Sequence, residues 1–265
     1  GIDDLAQRMV DYMIKATREA KLMTSWVKVN EEYEATLSEF IRQTLDPVRS
    51  SRFISDFQPL ADLVALRGAN NSLSQVLVKL TAPGMPDFYQ GTELWDFSLV
   101  DPDNRRPVDY EKRKVILEEV IARQGDAAYL KEIQESWRDG RIKMFVTHKG
   151  LAFRRAYQHL YREGTYIPLQ AEGSAAEHIL AFAQIRTGMP SAITVVPRLL
   201  TKAWFPTDRL ADEAFWGDTV LRLPDDSGAR WHNIFTSEDV EAQDNSIALA
   251  PHLGNFPVVL LVSSP

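Results

Sequence analysis

The chain has 265 residues, 45% of them hydrophobic and 25% charged, with a net charge of −7 and no cysteine. That length supplies one large or two ordinary domains with an ample core. Lack of cysteine removes disulfides, thiolate nucleophiles and Cys-ligated zinc, and the negative balance counts against a nucleic-acid partner, which needs a basic face.

In chain order, Leu5, Met9, Tyr12, Met13, Ala16 and Ala20 recur at steps of three and four, which predicts a helix with one apolar stripe, its N-terminal end favoured by Asp3 and Asp4. Asn30 reads as the N-cap of a second helix with Glu31 and Glu32 in its first turn, burying Tyr33, Leu37, Phe40, Ile41 and Leu45. A third runs through Phe53, Phe57, Leu60 and Val64 and is expected to stop near Gly68, followed by an apolar segment over 73–80. "MPDFYQG" then reads as a short strand, about 84–90, entering a long loop. Further helices are expected over 110–123, 127–138 and 142–164.

Near Gly164 the apolar period changes from 3.6 to 2. The runs "HILAFAQI", "SAITVVP", "DTVLRL", "RWHNIF", "NSIALA" and "FPVVLLV" are bounded by Gly, Pro, Asp and Asn, which predicts an antiparallel sandwich or barrel. The last run is too short for the ~20 residues of a membrane span and suits a buried strand. There is no basic, apolar leader at Gly1, so a cytoplasmic setting and no membrane partner are expected. Two domains follow: residues 1–163, mostly helical with one strand, and residues 164–265, a β domain. A lone strand needs partners for its backbone groups, so the rest of its sheet is expected on chain not present here.

The chemistry is densest in "PGMPDFYQGTELWDFSLVDPDNRRPVDY", residues 83–110. Counted from Asp101, a calcium loop needs Gly where Arg106 stands and Glu where Lys112 stands, so it fails. Turn chemistry explains part of the composition: Asp-Pro and Asp-Asn favour turns, Asp109 is a candidate helix cap, and Arg105 and Arg106 can pair with nearby carboxylates. The other reading is a sugar or polyol site, with Tyr89, Trp95 and Phe97 as ring faces beside the hydrogen-bonding Gln90, Glu93, Asp96, Asp103 and Asn104. Elsewhere Arg18, Glu19 and Lys21 read as a solvated helix face and Trp26 as a core or docking residue. Trp204, Phe205, Phe215 and Trp216 read as a docking or core cluster before a surface sugar site. The histidines at 148, 159, 178, 232 and 252 have no close helical partner, and no nucleophile elbow, Walker loop or dinucleotide fingerprint occurs. Neither a metal nor a cofactor is expected.

"KATREAKLMTSWVKVNEEYE", "GANNSLSQVLVKLTAPGMPDFYQGTELWDFSLVDPDNRRPVDYEKR" and "FRRAYQHLYREGTY" together resemble the C-terminal part of the maltooligosyl trehalose synthase family, in the α-amylase superfamily. The resemblance implies an α+β fragment: the helical end of a (β/α)8 barrel with its last strand, then an antiparallel β-sandwich domain. It implies a parent enzyme, a glucosylmutase, that converts the reducing-end α-1,4 link of a maltooligosaccharide or glycogen-derived α-glucan to an α,α-1,1 link. The superfamily's catalytic carboxylates (Asp nucleophile, Glu acid/base, second Asp) would lie upstream, so no catalytic residue is expected here and the chain alone should be inactive. Tyr89, Gln90, Glu93, Asp101, Asp103, Asn104, Arg105 and Arg106 become the expected substrate contacts. The N-terminal barrel portion is the expected partner, and apolar faces left bare without it imply a dimer. Rival readings are a carbohydrate-binding or structural module, an amylase-type hydrolase, or a glycosidase pair formed by Glu93 with Asp101 or Asp103.

Overall fold

The computed structural model describes residues 1–200, 209–210, 212–224 and 227–263. The chain packs as two compact units. The smaller holds Gly1–Val64 and Asp96–Val108, the larger Ala65–Trp95 and Asp109–Pro265.

In the smaller unit, α1 (Ile2–Ala20) packs on α2 (Glu31–Leu45). α1 carries its acids in the first turn and ends at Lys21 in the left-handed region, φ 58°. Its buried side is Ala6 and Val10, one position round from the expected stripe, and Leu5 stays exposed. Asn30 caps α2 as expected, its side-chain oxygen accepting the Tyr33 N–H at 3.1 Å. The buried positions of α2 are Ile41 and, against the apolar pattern, Glu34, while Phe40 is 66% exposed. Glu34 holds an interior position because Arg18 of α1 pairs with it; a charge balanced by a partner on another helix is invisible to a period count.

Helix α3 (Ser51–Thr81) begins in the smaller unit and continues in the larger. It does not stop at Gly68. Gly in a helix costs about 1 kcal/mol relative to Ala, and burial of Leu66, Leu73, Leu77 and Leu80, each 0–1% exposed, offsets that many times over at ~1.5–3 kcal/mol per side chain. The polar stretch Asn70–Ser72 between the two expected segments lies inside the helix. Asn70 Nδ2 donates to the Leu66 carbonyl and the Ser74 hydroxyl to the Pro197 carbonyl. The strand expected over 84–90 does not form. The segment has no ladder, since a strand exists only where a neighbour takes its N–H and C=O groups.

The rest of the larger unit is built from α4 (Tyr110–Ala122), α5 (Ala127–Glu135), α6 (Arg141–Ala156) and α7 (Gln158–Glu163), then a β-rich half. Asp109 caps α4 through the Lys112 N–H at 2.9 Å. α5 ends three residues early, in a 3-10 turn at Trp137–Asp139 closed by Gly140. The single helix expected over 142–164 is divided at Tyr157, whose ring packs 4.5 Å from that of Phe153. α6 passes close to α3 at Gly150, where a Cβ would come within 2.6 Å of Leu80 Cδ1.

Helices end at Glu163 and strands begin at Thr165. The strands are β1 (Thr165–Leu169), β2 (Ala171–Glu172), β3 (Ile179–Ile185), β4 (Ala192–Pro197), β5 (Val220–Arg222), β6 (Arg230–Asn233), β7 (Asp239–Glu241), β8 (Ser246–Ala248) and β9 (Val259–Ser263). They form an antiparallel six-stranded sheet ordered β1-β3-β4-β9-β6-β7 and a three-stranded sheet ordered β2-β5-β8. Two short helices, α8 (Glu213–Trp216) and α9 (Ala250–Asn255), have no counterpart in the expected pattern; α9 takes the end of the "NSIALA" run.

Alternation explains the layering. On β4, Ile193 and Val195 join a core shared with Leu221 and Ile247 of the smaller sheet, while Ala192 and Val196 join a core with Leu73, Leu77 and Phe145 of the helices. On β9, Val259 and Leu261 face the first core, Leu260 and Val262 the second. The six-stranded sheet is therefore covered on both faces, which is why β4 and β9 read as continuous apolar runs. No described helix is long and apolar enough to cross a membrane.

Candidate functional site

The expected site residues fall in both units. In the larger unit, Tyr89, Gln90 and Glu93 lie on a turn after α3. The Tyr89 carbonyl accepts from the Thr92 N–H and hydroxyl, at 3.2 and 2.7 Å, and its ring is half exposed. Gln90 Oε1 accepts from the Tyr110 hydroxyl at 3.1 Å. Glu93 accepts from Arg113 Nε at 3.0 Å, and Arg113 Nη2 donates to the Gly91 carbonyl at 2.6 Å. Lys143 of α6 donates to the Leu94 carbonyl, and Trp95 Nε1 to the Trp137 carbonyl at 2.6 Å. The Trp95 ring meets Trp137 edge-on at 6.4 Å, so Trp95 is a packing residue and not an open ring face. Arg113 went unnoticed in the sequence. Its signal is its place one turn after the Asp109 cap, aimed back along the helix.

In the smaller unit the loop 96–108 contains a 3-10 turn, Asp103–Arg105. Asp101 takes a forked contact from Arg105, at 2.6 and 2.7 Å. Asp103 is gripped from far along the chain. Arg8 of α1 donates through Nε to Oδ1 at 2.9 Å and through Nη2 to Oδ2 at 2.8 Å, and the Leu99 N–H adds a third bond at 2.6 Å. Arg106 Nε lies 3.0 Å from Oδ1. The Arg8 guanidinium, first through its hydrogen bonds, holds the Asp103 carboxyl down at about 2. Asn104, Arg105 and Arg106 are exposed, as is the Phe97 ring. The pairing expected from turn chemistry is thus present, and its strongest member is Arg8, which no local pattern indicates.

Arg18, expected on a solvated face, instead forks onto Glu34 at 2.8 and 2.6 Å, with Thr24 donating to the same carboxylate at 2.6 Å. The Arg18 guanidinium also sits 5.0 Å from the Trp26 ring centroid, and that ring is more than half exposed. Arg18 and then Thr24 hold the Glu34 carboxyl at about 2. Both carboxyls have lowered folded-state values, so their contribution to stability is present above the unfolded values of 4.5 and 3.8 and is lost as pH falls through about 2. Urea midpoints of the smaller unit, followed through Trp26 by difference against Trp26→Phe, should therefore fall between about pH 4.5 and about pH 2. Glu34→Gln should flatten that slope. Midpoints that stay constant across the window contradict it.

Of the aromatic cluster in the β-rich half, Phe215 and Trp216 pack edge-on at 4.8 Å with Trp216 buried, a core arrangement. Trp204 and Phe205 lie outside the described residues. The larger unit has a cleft of about 520 Å³ between α3 and the β4 end, and another of about 800 Å³ beside α5; neither is lined by Tyr89, Gln90 or Glu93. Among the described residues no cluster of three or more His, Asp or Glu could hold a metal.

No family model matches the chain. A curated Mycobacterium tuberculosis (strain CDC 1551 / Oshkosh) protein, whose assigned name is maltooligosyl trehalose synthase, is 35% identical over 258 residues, 97% of this chain and 28% of that protein. The solved maltooligosyltrehalose synthase from Arthrobacter ramosus superposes with a TM-score of 0.74 at 30% identity, over 98% of this chain and 30% of that one. A Sulfolobus tokodaii hypothetical maltooligosyl trehalose synthase gives 0.68 at 26% identity, over 99% and 30%. The chain thus spans about 28% of the length of the curated relatives it matches, and similarity to maltooligosyl trehalose synthase extends through both units.

Proposed function

We propose that this chain is the C-terminal portion of a maltooligosyl trehalose synthase, acting in the cytoplasm on maltooligosaccharide or a glycogen-derived α-glucan. The observation that carries the reading is the similarity over 97% of the chain to little more than a quarter of each relative. Apolar faces support it: Phe53, Phe57, Leu60 and Val64, at helical spacing on α3, are 49–60% exposed, as a helix would be whose cover is the barrel portion supplied by upstream chain.

In that enzyme an Asp nucleophile on the upstream portion takes the glycosyl group at its anomeric carbon while a Glu protonates the departing glucose. The glucose turns, and its anomeric hydroxyl attacks the intermediate to give the α,α-1,1 link. This requires the glucose to be retained and water excluded, because hydrolysis competes. Loops at the carboxyl ends of barrel strands build the active-site face, and the segment after residue 90 is the last such connection in this reading. The exposed Asn104 and Arg106 are the loop's outward polar groups in this reading, Arg105 being forked onto Asp101. Glu93 and Asp101 are held by Arg113 and Arg105, which makes a self-contained glycosidase pair the weaker alternative.

In the complete enzyme, Arg106→Ala should raise the ratio of released glucose to trehalose-ended product by roughly tenfold, the equivalent of one charge-assisted hydrogen bond of about 1.4 kcal/mol. An unchanged ratio contradicts the placement of this loop at the substrate.

A further inference from the structure

We infer that Arg8 is a positioning residue for the 96–108 loop, and that Asp103, which the sequence marks as a ligand contact, is the latch Arg8 closes. An ionised carboxylate offers about four acceptor sites. At Asp103 three N–H groups donate to the carboxylate, Arg8 Nε to Oδ1 and Arg8 Nη2 and Leu99 N to Oδ2, while Arg106 Nε donates to the Asp103 backbone carbonyl at 3.1 Å and stands 3.0 Å from Oδ1 as an ion-pair partner. Most of its acceptor capacity is therefore spent inside the protein, on holding the loop. The side chains of Arg8 and Asp103 are 16% and 13% exposed, so water competes weakly for the fork.

The grip is wider than one pair. Arg8 Nη2 also donates to the Phe97 carbonyl at 2.7 Å, and Lys15, two turns further along α1, donates to the Asp101 carbonyl. One face of α1 therefore holds the loop at Phe97, Asp101 and Asp103. Asp4 stands 4.0 Å from Arg8, too far to replace the fork. With the loop fixed at those points, its exposed residues Asn104 and Arg106 are presented in one geometry. The inference rests on the reading that this loop meets the substrate. Within it, Arg8 acts by fixing the donors that retain the departing glucose, since a small displacement of a positioned group costs catalysis disproportionately.

Two measurements test it. On this chain, hydrogen exchange of the peptide containing Leu99 should be about tenfold faster in Arg8→Ala and intermediate in Arg8→Lys, since a lysine offers a point charge and no fork. In the complete enzyme, Arg8→Ala should raise the glucose-to-trehalose product ratio as Arg106→Ala does, with Arg8→Lys recovering part of it and KM little changed. Unchanged exchange overturns the latch. Faster exchange with a parental ratio, while Arg106→Ala alters it, overturns positioning and leaves the loop reading standing. If neither Arg106→Ala nor Arg8→Ala moves the ratio, the loop reading fails and this inference with it. Should Arg8→Ala not fold, Arg8→Lys carries both comparisons.

Discussion

Phe145→Ala should lower the stability of the larger unit by about 3–5 kcal/mol, the range for removing a fully buried aromatic ring. The ring is 1% exposed and is the point where α6 meets the β-rich half. Its centroid lies 6.2 Å from that of Phe235 and 5.8 Å from that of Phe256, and those two rings stack at 5.5 Å. Deleting it takes away the transfer term and leaves a void that three layers of structure resist closing. Phe145→Leu refills most of the space and should cost about 1–1.5 kcal/mol. Urea unfolding of this chain reads both as midpoint shifts at constant slope. A loss below about 1 kcal/mol for the alanine variant would mean that α6 is not seated on the sheet as described.

Gly173→Ala should be strongly destabilising in the β-rich half, for two separable reasons. Gly173 has φ +104°, a conformation nearly closed to residues with a Cβ, which costs of order 1–3 kcal/mol. A Cβ there would also come within 2.8 Å of the Asp218 carbonyl oxygen and of Thr219 Cα, and overpacking of that kind adds about 1–3 kcal/mol. The approach is tight because the turn is hydrogen-bonded to the side chains of those two residues. The Ser174 N–H and hydroxyl both donate to Asp218 Oδ1, at 2.9 and 2.7 Å, and the Ala175 N–H donates to Thr219 Oγ1 at 3.1 Å. Gly188, with φ +77° and open space where its Cβ would go, isolates the first term. Gly188→Ala should cost only the conformational part, and equal losses at the two positions would remove the steric argument.

What the sequence carried was local. Asn30 and Asp109 were legible as caps because a cap is one side chain bonding three residues ahead, and β4 and β9 were legible because burial on both faces leaves an unbroken apolar run. What it concealed depends on distance in the chain. Helix α3 continues through Gly68 because its leucines are covered by elements far along the sequence. Glu34 is buried because Arg18 reaches it, and Asp103 is held because Arg8 crosses 95 residues to grip it. Of the candidate site, the turn chemistry was legible, because the Asp109 cap and the Arg105–Asp101 pair are local. The grips on Asp103 by Arg8 and on Glu93 by Arg113 were not legible, because neither pairing is marked by a local pattern. The strand expected over 84–90 came from a local run of residues, and without a neighbour it has no ladder.

The most direct measurement is to incubate this chain with maltopentaose and follow reducing ends and free glucose together. If the catalytic carboxylates lie on upstream chain, neither quantity changes, and adding the N-terminal portion makes reducing ends fall with little glucose released. A fall in reducing ends with this chain alone would place a complete trehalose-forming site within these 265 residues and contradict the proposed division.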